Sequence, residues 1–473
     1  MSFVASLVLI VVLVIRPQEI WPELAALRLL DVCTGLVVLG VLVDIVRGKK
    51  RGQLYSPQLL YLGAFVVIAY GMTILSQGFS GGLSMATNNC LFPAIFMLAV
   101  LYSAQSARRL KVLIWLLLLL TTFVSAVAVH QGSVTPECIE KHPDDSGTLV
   151  VDLDTATGRQ CGMPGDCRSD DSGNIEWACE RVGLFRTYST GLRVRWRGQL
   201  QDPNELSVFI GAVIPLLLSV AVPGKGTAGR SGAGHLFFTI VAILIAAVGL
   251  YAVILSQSRG GQLVVATVFG IYFVTRIGKK GIILGVLLAL PVVLLGGRSD
   301  ETADSSSQER FELLYDGMSM IASNPLKGVG VEQFADHSSV NMTAHNSYVL
   351  AAAELGLVGF FFWSALVWAS FKIPLTVARS TAPAITDDIR AIAMAIAVSL
   401  AGFGVGIFFL SFTYKQLLFI WLGMAGTLYG IVRAKDPTFE VKVGLRDFVG
   451  IAVANTSLMA LLYLYTRLKA GGG

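Results

Sequence analysis

Residues 324–359 read Asn324-Pro325-Leu326-Lys327-Gly328-Val329-Gly330, then a polar run to Ala344, then His345-Asn346-Ser347-Tyr348, then an apolar stretch interrupted by Glu354. A glycine-rich loop runs straight into an apolar segment, with a histidine at the junction. From Tyr348 the apolar run continues to Phe371. At the rise of an α-helix that length crosses the hydrocarbon core of a bilayer, about 30 Å thick. Only 14% of the 473 residues are charged and 54% are hydrophobic. A soluble chain carries roughly a quarter charged residues. The fold expected is an all-α polytopic membrane protein, because uninterrupted apolar runs of this length form helices rather than barrel strands.

About twelve transmembrane helices are expected, over residues 3–15, 29–46, 59–75, 90–102, 112–129, 206–222, 237–255, 263–274, 282–295, 348–371, 392–410 and 417–432. The first is read as a span and not as a removed signal peptide, because no small-residue cleavage site precedes a soluble part. Residues 448–465 carry Asn455-Thr456-Ser457 at their centre and basic residues at both ends, which fits either a further span or an interfacial helix. The chain then divides into helices in 1–130, a loop over 131–204, helices in 205–296, a loop over 297–345, helices in 346–433 and a tail over 434–473. The Gly471-Gly472-Gly473 tail is left out of the reading.

Basic clusters follow every second span: Arg47 to Arg51, Arg108 to Lys111, Lys225 and Arg230, Arg276 to Lys280, Lys372 to Arg390, and Arg433 to Lys435. The positive-inside rule puts these in the cytoplasm. Both long loops then lie outside, with Arg259 and His345. The net charge of +5 reflects orientation and is no signature of nucleic-acid binding. There is no phosphate-cradling glycine loop, which speaks against an ATP-driven pump.

The first loop holds Cys138, Cys161, Cys167 and Cys179. Outside the cytoplasm they imply up to two disulfides in any of three pairings. A zinc site is the rival reading, with His130 and His142 nearby but no tight ligand pair. Cys33 and Cys90 sit in or near spans as packing residues.

Arg259, in Ser256-Gln257-Ser258-Arg259-Gly260-Gly261, ends the seventh span on the outer side, where positive charge is disfavoured. An arginine at a helix end often only snorkels to headgroups. Here Gly260 and Gly261 let a ligand approach the backbone, and a guanidinium holds phosphate in bidentate fashion. Arg193, Arg195 and Arg197 alternate ahead of Asp202-Pro203-Asn204-Glu205, a turn and helix cap. In an extended stretch they point the same way. The bland reading is a solvated basic loop. The sharper one is a clamp on a diphosphate made by Arg259 and one of the three, of which Arg197, beside Gly198, is favoured. His345 is the candidate base, with His337 as the fallback. Tyr348 shares a helix face with it by i, i+3 spacing. Glu354 is an intramembrane carboxylate, a functional residue by default or the partner of a buried arginine.

These stretches resemble the O-antigen ligase and polymerase superfamily of bacterial inner-membrane glycosyltransferases. The matching pieces are Arg197-Gly198 with Asp202-Pro203-Asn204, Ser256 to Gly261, Asn324 to Gly330, and His345 to Tyr348 followed by Glu354 to Gly359. The resemblance implies a fold like the lipid-dependent (GT-C-like) glycosyltransferases. It implies transfer of a glycan from an undecaprenyl-diphosphate carrier to a sugar hydroxyl, for example on a lipid A–core acceptor, at the periplasmic face, without metal, nucleotide or other cofactor. It assigns the essential roles to Arg259, His345 and one of Arg195 or Arg197. Alternatives are a polymerase of the same superfamily and, more distantly, a transporter of an anionic lipid or sugar. Against the transporter stands the collection of candidate residues at one surface rather than at the midplane.

Overall fold

The structure is a computed structural model and describes residues 1–48, 55–143, 149–151, 155, 158–162, 166–167, 176–221, 233–295 and 300–470. Its helices are α1 (Ser2–Ile15), α2 (Pro17–Ile20), α3 (Leu29–Val46), α4 (Gln58–Gln77), α5 (Phe79–Ala86), α6 (Phe92–Ser103), α7 (Ala107–Ser133), α8 (Pro203–Ala221) and α9 (Ala233–Leu255). They continue with α10 (Arg259–Ile277), α11 (Lys280–Leu295), α12 (Asp300–Ser323), α13 (Phe334–His337), α14 (Ser347–Arg379), α15 (Asp387–Gly406), α16 (Gln416–Arg433) and α17 (Leu445–Ala470). Lys49, Lys50, Arg51, Lys225, Arg230 and the terminal glycines, all named above, lie outside the described residues.

Among the described residues, 11 helical segments are long and apolar enough to cross a membrane, and two apolar helices, Thr239–Leu255 and Lys280–Leu294, are slightly shorter. The protein is an all-α, multi-pass membrane protein. Each of the expected spans falls on one of these segments, and the one left over is α17.

Small residues let the central helices approach closely. A side chain at Gly423 of α16 would run into the Met97 carbonyl of α6, and one at Gly261 of α10 would strike Ser207 of α8. Hydrogen bonds join helices at depth: Gln58 Nε2 donates to the Leu422 carbonyl at 2.9 Å, and Ser399 Oγ to the Ala212 carbonyl at 2.6 Å. The most buried helices are α16 and α8. Helix α17 is the most peripheral, with 11% of its apolar window buried against 89% for α16.

The asparagine–proline–glycine stretch has a structural account. Helix α14 breaks at Gly356, whose φ of 67° and ψ of 177° are not helical. A break in the membrane strands backbone groups that must find partners. The loop supplies them: Val329 N donates to the Ala353 carbonyl at 2.9 Å, Gly330 N to the Glu354 carbonyl at 2.9 Å, and Leu357 N to the Pro325 carbonyl at 2.8 Å. Gly328 is left-handed at φ 67°, and a Cβ there would sit 2.3 Å from the Glu354 carbonyl oxygen. Glu354 is fully buried and accepts the Phe334 amide at 3.1 Å. This loop therefore serves the helix break and not His345.

The first loop forms a three-stranded antiparallel sheet, β2-β1-β3, from β1 (Glu137–Pro143), β2 (Leu149–Val151) and β3 (Glu176–Glu180). Its cysteines pair as Cys138–Cys167 and Cys161–Cys179, which excludes the zinc reading because a disulfide sulfur is no thiolate ligand. In the second loop the sequence reading missed α12, an amphipathic helix.

Helix α17 crosses the protein antiparallel to α14. At its start Asp447 takes Lys372 Nζ at 2.8 Å. Lys372 lies roughly 37 Å along α14 from its beginning beside His345, at the helical rise. At its far end the Tyr465 ring meets Phe311 of α12 with centroids 6.0 Å apart. Its last turn is thus on the His345 side.

Candidate active site

Three stretches meet at one end of the bundle, and a chain of short contacts runs through them. Val194 N donates to the Leu255 carbonyl at 3.4 Å, laying the arginine stretch across the end of α9. Arg193 bridges two motifs: Nε donates to the Ser256 carbonyl at 2.8 Å, and a terminal nitrogen donates to Asn204 Oδ1 at 2.9 Å. Asn204 is in turn held by Asp202 Oδ1, which accepts from both its backbone and side-chain nitrogens at 2.8 Å. Ser258 Oγ caps α10 by accepting Gly261 N at 3.1 Å. Gly260 packs on Phe409, where a Cβ would sit 3.2 Å away. Two residues on, Ser411 Oγ accepts the His345 amide at 3.0 Å.

His345 is left-handed at φ 47°, a conformation that costs a non-glycine residue about 1 kcal/mol or more. It precedes α14, whose cap is Asn346; the Asn346 side chain accepts from Tyr348 N and Val349 N. The i, i+3 face expected for His345 and Tyr348 therefore does not exist, because His345 is outside the helix. The Tyr348 hydroxyl donates to the Gly404 carbonyl at 2.8 Å and its ring packs edge-on to Trp363. Burial holds the His345 imidazole below its ordinary 6.5, helped by the charge of Arg310 and opposed by Asp202 and Glu309. His345 thus faces α12 on one side and the Asp202–Asn204 turn on the other. His337 is exposed, and its ring Nδ1 pairs with the Gln333 carbonyl at 2.8 Å.

Arg259 opens α10 and is exposed. Among the described residues it has neither a hydrogen-bond nor an ion-pair partner. The other arginines are engaged. Arg195 Nε donates to the Tyr188 carbonyl at 2.9 Å, with the guanidinium 4.1 Å over the Tyr188 ring. Arg197 donates to the carbonyls of Phe185 at 2.5 Å and Arg186 at 3.1 Å, while its Nε is buried without a partner among the described residues. Burial lowers the Arg197 pKa, against the charge of Glu19.

Several neighbours escaped the sequence reading. The end of α1 belongs to this face: Trp196 Nε1 donates to the Val14 carbonyl at 2.7 Å, Glu19 accepts Gly198 N at 3.2 Å, and a Cβ at Gly198 would strike the Arg16 side chain. The signal was present, since Arg16 follows an odd-numbered span, as Arg259 does. Glu180, at the end of β3, is buried and collects Ser189 Oγ, Gly191 N at 2.8 Å and Leu192 N at 3.4 Å. Burial raises its pKa, against those hydrogen bonds and the Arg195 charge. It sets the turn from which Arg193 and Arg195 emerge, and it adjoins the disulfide-bonded Cys179.

Chemically this is a face with an unspent guanidinium, a second one with an orphaned Nε, and an imidazole kept neutral near pH 7. Residues 240–364 match the family model described as O-antigen ligase. The matched span holds Arg259, His345, α12 and the first half of α14 with its break at Gly356. No curated protein matches the chain. The match supports the O-antigen ligase and polymerase superfamily and, in general terms, glycosyl transfer on glycan and lipid-linked substrates.

Proposed function

We propose that the protein is a glycosyltransferase of the O-antigen ligase type. It moves a glycan from an undecaprenyl-diphosphate carrier to a sugar hydroxyl, at the periplasmic face of the bacterial inner membrane. The observation that carries this reading is Arg259: exposed, without a partner among the described residues, and tied through Gly260, Phe409 and Ser411 to His345. A charge left unspent in a dense network of hydrogen bonds is one kept for a ligand.

In the reaction, the acceptor oxygen attacks the anomeric carbon as the bond from that carbon to the phosphate oxygen breaks. The electron pair leaves on the diphosphate, where Arg259 neutralises the growing charge and the free edge of Arg197 supplies a second cation. The hydroxyl proton passes to the neutral His345 ring. A single displacement inverts the anomeric configuration. Gly260 and Gly261 allow close approach, and Arg193 with Asn204 holds the turn in shape.

Glu180 matters at one remove. Glu180→Ala, or reduction of the two disulfides beside it, is expected to lower transfer about tenfold or more, since a 1 Å displacement of catalytic groups costs that and more. Initial rates with and without reductant check this, and unchanged rates contradict it.

The function itself is tested by deleting the gene and complementing with wild type or Arg259→Ala. Long glycans that stay on the carrier and do not reach the surface acceptor support the ligase. Accumulation of single repeat units points to a polymerase instead. No change in either pool contradicts glycosyl transfer.

A further inference from the structure

Helix α17 touches the bundle at its two ends and stands off between them. One end is fixed by Asp447, which takes Lys372 and the Trp368 indole at 2.9 Å, and by Phe448, which packs on Tyr61 and Phe361. The other end is fixed at Phe311 of α12 by the Tyr465 ring, with Lys469 Nζ 4.2 Å over the Phe311 centroid. Between these anchors lies a cavity of about 570 Å³. Its walls are Met318 and Ile321 of α12, Leu357 and Phe360 of α14, and Met459 and Ala460 of α17. Among the described residues no charged side chain lines it. An apolar recess among helices that cross a membrane suits hydrocarbon rather than water.

The rim is different. Arg467 and Lys469 stand on the last turn of α17, and Arg467 Nε donates at 3.1 Å to the hydroxyl of Tyr463, which lines the cavity. Arg310, next to Phe311, faces His345. An apolar trough with a basic rim fits an amphiphile with an anionic head, and the rim lies between the trough and His345. Midway, Asn455 and Thr456 border the space.

We infer that the cavity between α12, α14 and α17 holds the polyprenyl chain of the donor, with its diphosphate directed past Arg310 toward His345. This rests on the glycosyltransferase reading for its ligand and adds a site that lies partly outside the matched family span.

The test is binding by the full-length protein in lipid nanodiscs, using a long-chain polyprenyl diphosphate and its geranyl counterpart as probes. Wild type is expected to prefer the long chain by about tenfold or more. Ala460→Trp, which fills the cavity, is expected to erase the preference. Leu461→Trp, on the face of α17 turned away from the cavity and 65% exposed, is expected to keep it and so controls for folding. A preference that survives Ala460→Trp overturns the inference, as does equal competition by phosphatidylglycerol. A wild type that shows the preference but transfers no glycan leaves the groove standing and removes the proposed function. Transfer without any chain-length preference removes the groove alone.

Discussion

Arg259→Ala is expected to lower glycan transfer about 10³-fold or more while leaving the protein folded. The magnitude follows from removing a cation aimed at a leaving diphosphate, an effect of the size seen when a single transition-state donor or arginine is lost. The folding half follows from structure. Arg259 is exposed and has no partner among the described residues, so its truncation strands no buried group. Arg193→Ala offers the contrast. It removes the donors to the Ser256 carbonyl and to Asn204, and is expected to reduce the yield of folded protein along with activity. Arg259→Lys keeps the charge but loses the planar fork, and is expected to recover only a small part of the rate. Initial rates in membrane vesicles, beside the elution profile of the solubilised protein, separate these outcomes.

His345→Ala is expected to cost about 10²- to 10⁴-fold, the usual contribution of a positioned general base. Its pH dependence is the sharper check. Burial and Arg310 hold the imidazole below the ordinary 6.5, so the neutral, proton-accepting form persists into mildly acidic solution. The acid limb of the rate profile is therefore expected below 6.5. The Asp202 charge raises the His345 pKa, so Asp202→Asn is expected to push the limb further toward acid. Arg310 lowers it, so Arg310→Gln is expected to move the limb toward neutral pH. Shifts in the opposite directions would remove His345 from the role of base.

The membrane helices were legible because continuous apolar composition needs no tertiary context: the segment read as 29–46 is α3, Leu29–Val46. Helix α17 was ambiguous because Asn455-Thr456-Ser457 interrupts it, yet as one helix over Leu445–Ala470 it is long and apolar enough to cross a membrane. Helix α12 was hidden by its polar first half, Asp300 to Glu312. Alternation holds over residues 193–197, where Val194 and Trp196 are buried and the three arginines are not. The arginines nevertheless find different partners: Arg193 reaches the Ser256 turn, while Arg195 and Arg197 reach back to residues 185–188. The left-handed backbone at His345 broke the helix-face argument for Tyr348. The role of Arg16 and Glu19 depends on a contact with Gly198 nearly 180 residues away, which no local pattern reveals.

The most direct measurement is the initial rate of transfer by the purified protein in proteoliposomes. The donor is a polyprenyl-diphosphate-linked glycan and the acceptor a sugar hydroxyl, in chelator and without nucleotide. Wild type is expected to form product with inverted anomeric configuration, and Arg259→Ala and His345→Ala to form almost none. No product from the wild type, or equal product from the two variants, would contradict the account.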